Sequence, residues 1–471
     1  MSRTILKNAG VLFIAELVNK GLSFFLIVAI ARYLGEAGLG KYSFAFALAG
    51  LFAIGADLGL TTYLTREIAR DKKKASELIS NMLGIKLVLA AVTTVTPMIV
   101  IHFIEKSPEV QVSVYLAAAA TGILNLTTVF NTIFNAFEKL EHVAIANLVE
   151  RILTVGLGIL LMTKGLGIIG LVFAYLISYF AVFIYLLMTS LRQVKFGIRL
   201  DYQTSKKLII NSMPFWFTSL FITIYFRIDT VILQMMTDYV QVGLYNAAFK
   251  ALDSLYFVPY AIITAVFPAM SRLHATDHKM LQAVYQKAFY YLMLLALPIG
   301  IGTTLLAARI IPLIYGEQFI SATLALQILI WAEVIIFVSS LTGYLLNAVN
   351  KQTTFTYTTA IAAAFKIILN IILIPKIGYI GAAISTVATE LVVFTILYYF
   401  AFKEGYSANL KAKFTKPILA CIIMGAAIIL LWNLNIILLI GLAGIIYFAA
   451  ILAMKGIEKE ETDLIKGILR R

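Results

Sequence analysis

The feature that most constrains this chain is the length of its segments without charge. Residues 417–454 contain no Asp, Glu, Lys or Arg, and residues 110–137 and 165–191 are also uncharged. A helix needs about 20 apolar residues to cross about 30 Å of hydrocarbon. A transmembrane β-strand needs only about 10 residues, and these alternate in polarity. The uncharged runs therefore predict an all-α polytopic membrane protein.

The composition agrees with this prediction and removes several other classes of protein. Of the 471 residues, 61% are hydrophobic and 13% are charged, whereas soluble domains carry about 25% charged residues. Cys421 is the only cysteine, so an internal disulfide is impossible. The four His residues and this cysteine form no cluster with metal-ligand spacing, and we predict neither a metal nor a cofactor.

The apolar pattern predicts about fourteen transmembrane helices. We place them at 8–32, 41–67, 77–103, 110–137, 142–163, 167–191, 208–236, 241–270, 280–308, 320–349, 353–374, 378–402, 416–433 and 436–454. An even number of crossings puts both termini on the same side of the membrane.

The basic residues orient the protein. When the N-terminus is placed in the cytoplasm, about 25 of the 38 Lys and Arg residues fall in inner segments, as the positive-inside rule requires. The sequence thus predicts a protein of the cell membrane with both termini in the cytoplasm. The net charge of +14 is explained by this asymmetry and by contact with anionic membrane lipids, so we predict no nucleic-acid partner.

The chain also contains an internal repeat. The segment GKYSFAF at 40–46 matches GLYNAAF at 243–249, NAFEK at 135–139 matches NAVNK at 347–351, and GIIG at 167–170 matches GYIG at 378–381. Each pair occupies the same place in a six-helix unit, so the repeats run in parallel. We predict two pseudo-symmetric six-helix lobes at 1–200 and 201–403. Residues 404–471 would add two helices and a basic cytoplasmic tail.

Charged residues inside the predicted helices are the candidate functional residues, since a charge at the bilayer centre costs at least about 2.5–3.5 kcal/mol. Arg227 and Asp229 are two positions apart and cannot share a helix face, so Arg227 needs a partner on another helix or an anionic ligand. The basic side chains predicted to line a cationic cavity are Arg227, Lys250, Lys20, Lys86, Arg151 and Lys366. Such a cavity suits the phosphate or diphosphate of a lipid-linked sugar, because Arg and Lys both bind phosphate oxygens.

The acidic residues leave two alternatives open. Asp57, Asp229 and Asp253 are candidates for coupling to a proton or sodium, since a carboxylate in a partly dry cavity can bind either. Permanent salt bridges are the alternative, and the pairs Glu16–Lys20 and Lys250–Asp253 have suitable helical spacing.

Two segments resemble a known family. The first is ARYLGEAGLGKYSFAFALAGLFAIGADLGLTTYLTREIAR at 31–70, and the second combines RIDTVIL at 227–233 with VGLYNAAFKALDSLYFVPYAIITAVFPAMSRL at 242–273. They resemble the polysaccharide transporter family of the multidrug/oligosaccharidyl-lipid/polysaccharide exporter superfamily. This resemblance implies alternating access between two lobes, no ATPase domain and a cationic central cavity. Of the basic candidates, only Arg227 lies in a family-like motif.

We therefore expect a flippase that moves a lipid-linked oligosaccharide from the inner to the outer leaflet for cell-surface polysaccharide or glycoprotein glycan biosynthesis. It would work as a monomer and have no enzyme activity. The first alternative is a multidrug or cation exporter of the same superfamily, which would need an acidic, aromatic cavity. A membrane glycosyltransferase or polymerase would need a large outer loop with a catalytic carboxylate, and the sequence offers none.

Overall fold

The part of the chain that the structure describes is mostly helical and contains no β-strand. This computed structural model describes residues 2–408 and 414–456, with side chains from residue 18 onward. Glu16, part of a predicted ion pair, and the predicted basic tail at 457–471 lie outside the described side chains. The described α-helices are α1 Ser2–Ala53, α2 Leu60–Arg70, α3 Ala75–Ile104, α4 Pro108–Ala136, α5 Leu140–Leu161, α6 Gly167–Gln193, α7 Tyr202–Met236, α8 Tyr239–Asp253, α9 Phe257–Thr276, α10 His278–Tyr315, α11 Ala322–Ala348, α12 Gln352–Lys403, α13 Thr415–Leu430 and α14 Ile436–Ala453.

These helices confirm the prediction of an all-α membrane fold. Within the described residues, ten helical segments are long and apolar enough to cross a membrane. Some are long enough for two crossings, since the 52 residues of α12 would extend about 78 Å against about 30 Å of hydrocarbon. Backbone kinks divide these long segments at Gly35 in α1, at Gly165 between α5 and α6, and at Gly378 in α12. The predicted number of fourteen crossings is approximate.

Two predicted helices are interrupted, so the prediction of continuous helices over 41–67 and 241–270 is wrong. The first break separates α1 from α2, where Leu58 and Gly59 adopt positive φ angles of 44° and 75°. A Cβ at position 59 would lie 2.4 Å from the carbonyl oxygen of Ser212 in α7. Glycine is therefore required here both by conformation and by the close approach of α7. The second break separates α8 from α9.

The contacts between helices divide the chain into two compact units. The first unit contains residues 1–250 and 363–379, and the second contains 251–362 and 380–471. The first unit thus includes α7, most of α8 and the middle of α12. Compact units are not the same as sequence repeats, and the lobe boundaries at 200 and 403 remain predictions.

In the first unit, α1 packs against α4, α5 and α7, and α4 packs against α3 and α6. In the second unit, α10 packs against α9 and α11 on one side and against α13 and α14 on another. The hydroxyl of Tyr447 in α14 donates to the carbonyl of Leu294 in α10 at 2.7 Å, and Arg309 in α10 donates to the carbonyl of Leu434 at 2.8 Å. The two C-terminal helices are therefore anchored to the second unit by polar as well as apolar contacts.

Two glycines that correspond in the sequence repeat also meet in the structure. A Cβ at Gly40 would lie 1.8 Å from the carbonyl oxygen of Tyr239, and a Cβ at Gly243 would lie 1.9 Å from the carbonyl oxygen of Glu36. Each glycine therefore admits the backbone of the other helix, as small residues do where membrane helices cross closely. We call this contact between α1 and α8 the glycine crossing.

Candidate functional site

Arg227 lies on α7 with its guanidinium group against α1. Its Nη1 donates to the carbonyl of Phe46 at 3.2 Å, and its Nε would lie 3.0 Å from a Cβ at Gly50. Gly50 therefore leaves room for the guanidinium to lie flat on α1. The Arg227 side chain is exposed, and it forms no salt bridge with any residue that the structure describes. A carbonyl satisfies only part of the five-donor guanidinium group, so most of its hydrogen-bonding capacity is available.

A second guanidinium shares the electrostatic neighbour Tyr179 with the first. Arg151 on α5 is 3.7 Å from the carboxylate of Glu150, which also accepts a hydrogen bond from Thr154 at 3.1 Å. The Arg151 Nε is buried, and no described residue accepts a hydrogen bond from it. Arg151 and Arg227 are both close enough to Tyr179 to interact with it electrostatically. Two guanidinium groups and one carboxylate leave this region with a net positive charge.

Tyrosine side chains connect these charges to α1. The hydroxyls of Tyr42 in α1 and Tyr175 in α6 are 2.7 Å apart and share a hydrogen bond. The ring of Phe46 lies 5.2 Å from the Tyr42 ring and 4.6 Å from the Tyr175 ring, while its carbonyl binds Arg227. We call the set formed by Arg151, Arg227, Tyr42, Tyr175 and Tyr179 the guanidinium–tyrosine cluster.

This cluster has the chemistry expected of a site for a phosphorylated polar ligand. Guanidinium groups bind phosphate oxygens through paired donors, and tyrosines offer an apolar ring together with a hydroxyl that can donate or accept. Sequence analysis identified Arg151 and Arg227 but missed Tyr175 and Tyr179. The only available signal was the four-residue spacing of Tyr175 and Tyr179, which puts both on one face of α6.

We expected Lys86 to line a cavity, but it lies buried among polar side chains. Its fully buried ammonium group is 2.5 Å from Asp57 Oδ1 and 3.1 Å from Thr61 Oγ1, and it also contacts Thr128 Oγ1. This geometry favours the permanent ion pair that the sequence left open for Asp57. It gives no support to the expectation that Lys86 lines a cavity.

Lys366 is also buried and paired. Its ammonium group is 2.6 Å from Asp229 Oδ2, and the two side chains are 3% and 2% exposed. Asp229 therefore pairs with Lys366 of α12 and points away from Arg227 on the same helix. Neither Lys366 nor Lys86 is positioned to meet a ligand directly.

The remaining predicted residues lie apart from the cluster's contacts. Lys20 is half-buried in α1, Lys250 is half-buried near the end of α8, and Asp253 is exposed at the last position of that helix. Each of the three interacts with other residues. Their roles in binding or coupling stay predictions.

Polar contacts surround the glycine crossing at one end of the first unit. Lys41 forms an ion pair with Glu109, and the Tyr239 hydroxyl donates to the carboxylate of Glu105. Burial alone would raise the pKa of Glu105, but hydrogen bonds from Tyr239 and from two backbone N–H groups hold it below its usual value. These contacts tie the segment between α3 and α4 to the start of α8.

Comparison with known proteins identifies two matching families. The family model described as polysaccharide biosynthesis protein matches residues 5–274, and the model described as MatE matches residues 214–372. A relative from Haloferax volcanii named "Probable low-salt glycan biosynthesis flippase Agl15" is 27% identical over 82% of this chain and 81% of its own length.

Solved structures show the same fold. The lipid II flippase MurJ in an inward closed conformation matches with a TM-score of 0.78 and 20% identity, covering 96% of this chain and 99% of its own. A multidrug resistance MATE family transporter in an inward-facing conformation matches with a TM-score of 0.66 and 17% identity, covering 82% of this chain and 94% of its own. These similarities confirm the fold class that the apolar runs predict.

Proposed function

The chain belongs to the polysaccharide biosynthesis protein family, and from this premise we propose that it flips a lipid-linked oligosaccharide from the inner to the outer leaflet. It is a membrane transporter of the exporter superfamily that the sequence resembles, and it is not an enzyme. The proposed cargo carries a phosphate or diphosphate between its sugars and its lipid. Alternating access between the two repeats would move the polar head group across the bilayer.

One observation carries the proposal. Arg227 presents an exposed guanidinium group within electrostatic reach of Tyr42 and Tyr179, Arg151 also interacts with Tyr179, and within the described residues Arg227 has no carboxylate partner. A charged side chain within an apolar membrane helix usually marks a pathway or binding site. An anionic phosphate would complete this arrangement, and hydroxyl groups of the sugars could bind the tyrosine hydroxyls.

An exporter of cationic drugs is the second candidate, because the MatE model matches residues 214–372. The charge of the cluster argues against it. Within the described residues, the one carboxylate shown beside the cluster is Glu150, next to Arg151, and two guanidinium groups outweigh its charge, so an incoming cation would be repelled. We therefore favour an anionic cargo.

Flipping measured per folded molecule tests the proposal. The purified protein would be placed in liposomes that contain a lipid-linked oligosaccharide diphosphate. Arg227→Ala should lower the rate at least about tenfold, because it removes charge-assisted hydrogen bonds worth about 1.5–3 kcal/mol each. Arg227→Lys should retain more activity through its charge but lose the paired donors. Lys250→Arg should have the smallest effect.

Arg309→Ala is the matched control, because Arg309 binds the carbonyl groups of Trp432 and Leu434 in the second unit. It should reduce the yield of folded protein more than the flipping rate per molecule. Full flipping by folded Arg227→Ala would refute the binding role of Arg227. If the protein transports a cationic dye at least as fast as the anionic lipid, the drug exporter is favoured instead.

A further inference from the structure

The ion pair between Lys366 and Asp229 lies in a shell of oxygen atoms from three helices. In α7, Asp229 follows Tyr225 by one turn, and in α12, Lys366 precedes Asn370 by one turn. The Lys366 Nζ is 2.6 Å from Asp229 Oδ2 and donates to the Tyr225 carbonyl at 2.9 Å. The same ammonium group lies 4.9 Å from the centre of the Tyr225 ring.

The other members of the shell also converge on the carboxylate. Tyr245 of α8 donates its hydroxyl to Asp229 Oδ2 at 2.7 Å, and Asn370 donates its amide to Asp229 Oδ1 at 2.6 Å. The amide oxygen of Asn370 is buried, and no described group donates a hydrogen bond to it. The ammonium group therefore contacts a carboxylate oxygen and a backbone carbonyl oxygen, while a hydroxyl and an amide NH2 group hold the carboxylate in place. Oxygen ligands of these kinds bind metal cations such as calcium and potassium in proteins.

The ammonium group occupies the position where a dissolved cation would be held. Its single positive charge neutralises the single negative charge of Asp229. A second cation about 4 Å away would be repelled by about 4 kcal/mol at an effective dielectric constant of 20. The site is thus filled by a cation that is covalently part of the chain.

We propose that Lys366 is a tethered cation that fills an oxygen-lined monovalent cation site formed by Asp229 and Tyr225, with Asn370 and Tyr245 holding the carboxylate. The wild-type site accordingly takes no sodium or potassium from solution. Removal of the lysine amine leaves the oxygen shell and its negative charge, and so creates a site for a dissolved monovalent cation. Lys366 thereby determines whether this part of the transporter depends on an external ion.

A similar arrangement surrounds Lys86 in the described part of the first unit. The ammonium of Lys86 contacts Asp57, the hydroxyls of Thr61 and Thr128, and the carbonyl of Asn125 at 3.4 Å. Again one lysine neutralises one carboxylate among neutral oxygens. Lys86→Met therefore provides a second, independent variant for the experiment.

Thermal unfolding in detergent tests the proposal without the lipid-linked substrate, so its outcome is independent of the proposed function. Wild type, Lys366→Met and the double variant Lys366→Met/Asp229→Asn would be titrated with NaCl, KCl or choline chloride at constant ionic strength. The melting temperature of Lys366→Met should rise by at least about 2 °C with NaCl or KCl relative to choline chloride, because bound cation stabilises the folded state. Wild type and the double variant should show no such difference.

Several outcomes would overturn the proposal. Sodium- or potassium-specific stabilisation of wild type that Asp229→Asn abolishes would show that the site takes an external cation despite Lys366. A Lys366→Met protein that responds only to acid would show that the shell takes a proton instead. If Lys366→Met fails to fold without salt, it would be purified in KCl or NaCl. If Lys366→Met fails to fold equally in choline, sodium and potassium chloride while Lys366→Met/Asp229→Asn folds, the shell cannot bind the cation.

Discussion

Gly50 sets how closely the Arg227 guanidinium lies against α1. Its missing side chain leaves the space that the Nε and Cζ of Arg227 occupy, 3.0 Å and 3.1 Å from an ideal Cβ. Alanine would require the flexible arginine to move by a few tenths of an ångström, whereas leucine would displace it. The position of the proposed phosphate-binding group thus depends on a glycine that has no side chain to bind phosphate.

We therefore expect Gly50→Leu to reduce flipping about as strongly as Arg227→Ala, and Gly50→Ala to reduce it less. The double variant Gly50→Leu/Arg227→Ala should be no slower than either single variant, because contacting residues are not additive. Gly156→Leu is the control, since an added Cβ there meets no atom within 4 Å. Additive losses in the double variant would indicate that Gly50 acts independently of Arg227.

At this scale the sequence identified the charges but not their surroundings. Arg227 was predictable because placing an arginine in an apolar membrane helix costs free energy. A binding function or an ion-pair partner must offset that cost. Tyr175 was not predictable, because tyrosine is common in membrane helices and its contact with Tyr42 depends on how α1 packs near α6. The pairing of Lys366 with Asp229 was also hidden, since it requires α12 to return to α7.

Among the helices, the glycine crossing is the element that most directly suggests movement. Gly40 and Gly243 allow the backbones of α1 and α8 to touch, and the adjacent Leu39 and Val242 are fully buried. Because this contact depends on close approach of the two backbones, few intermediate arrangements are available. The two helices are either packed together or separated. On the predicted topology, this crossing lies toward the outer side and would close the outer exit.

Cysteines at Leu39 and Val242, in a Cys421→Ser background, should therefore crosslink under oxidation and stop flipping, with recovery after reduction. Adding Gly40→Leu should prevent the crosslink, because its Cβ would overlap the Tyr239 carbonyl and separate the helices. Flipping would be measured before oxidation, after oxidation and after reduction. Normal flipping by fully crosslinked protein would show that the crossing does not open during transport.

The helix breaks show what apolar periodicity can and cannot predict. Run lengths predicted most helices to within a few residues, because hydrocarbon thickness fixes the required length. The break at Leu58 and Gly59 was missed, since those residues are apolar or small and continue the same run. Its cause is the approach of α7, a tertiary contact that a local pattern does not contain.

For the whole molecule, the distribution of basic residues still determines the predicted orientation. Both termini should be cytoplasmic if the long segments that bend at Gly35, Gly165 and Gly378 each cross the membrane twice. Their lengths favour this, because an uninterrupted helix of 52 residues would be more than twice as long as the hydrocarbon layer is thick. The parity of the crossings, and so the side of the C-terminus, depends on these three kinks.

Protease protection of sealed cells and inverted vesicles should therefore give the same result for a tag at either end. Tags after Met1 and after Arg471 should be cut in inverted vesicles and protected in sealed cells. A tag inserted between α3 and α4, after Lys106, should show the opposite pattern and serves as the internal control, because this segment is predicted to be external. Protection of only one terminal tag in inverted vesicles would mean an odd number of crossings, so that one long segment does not cross twice.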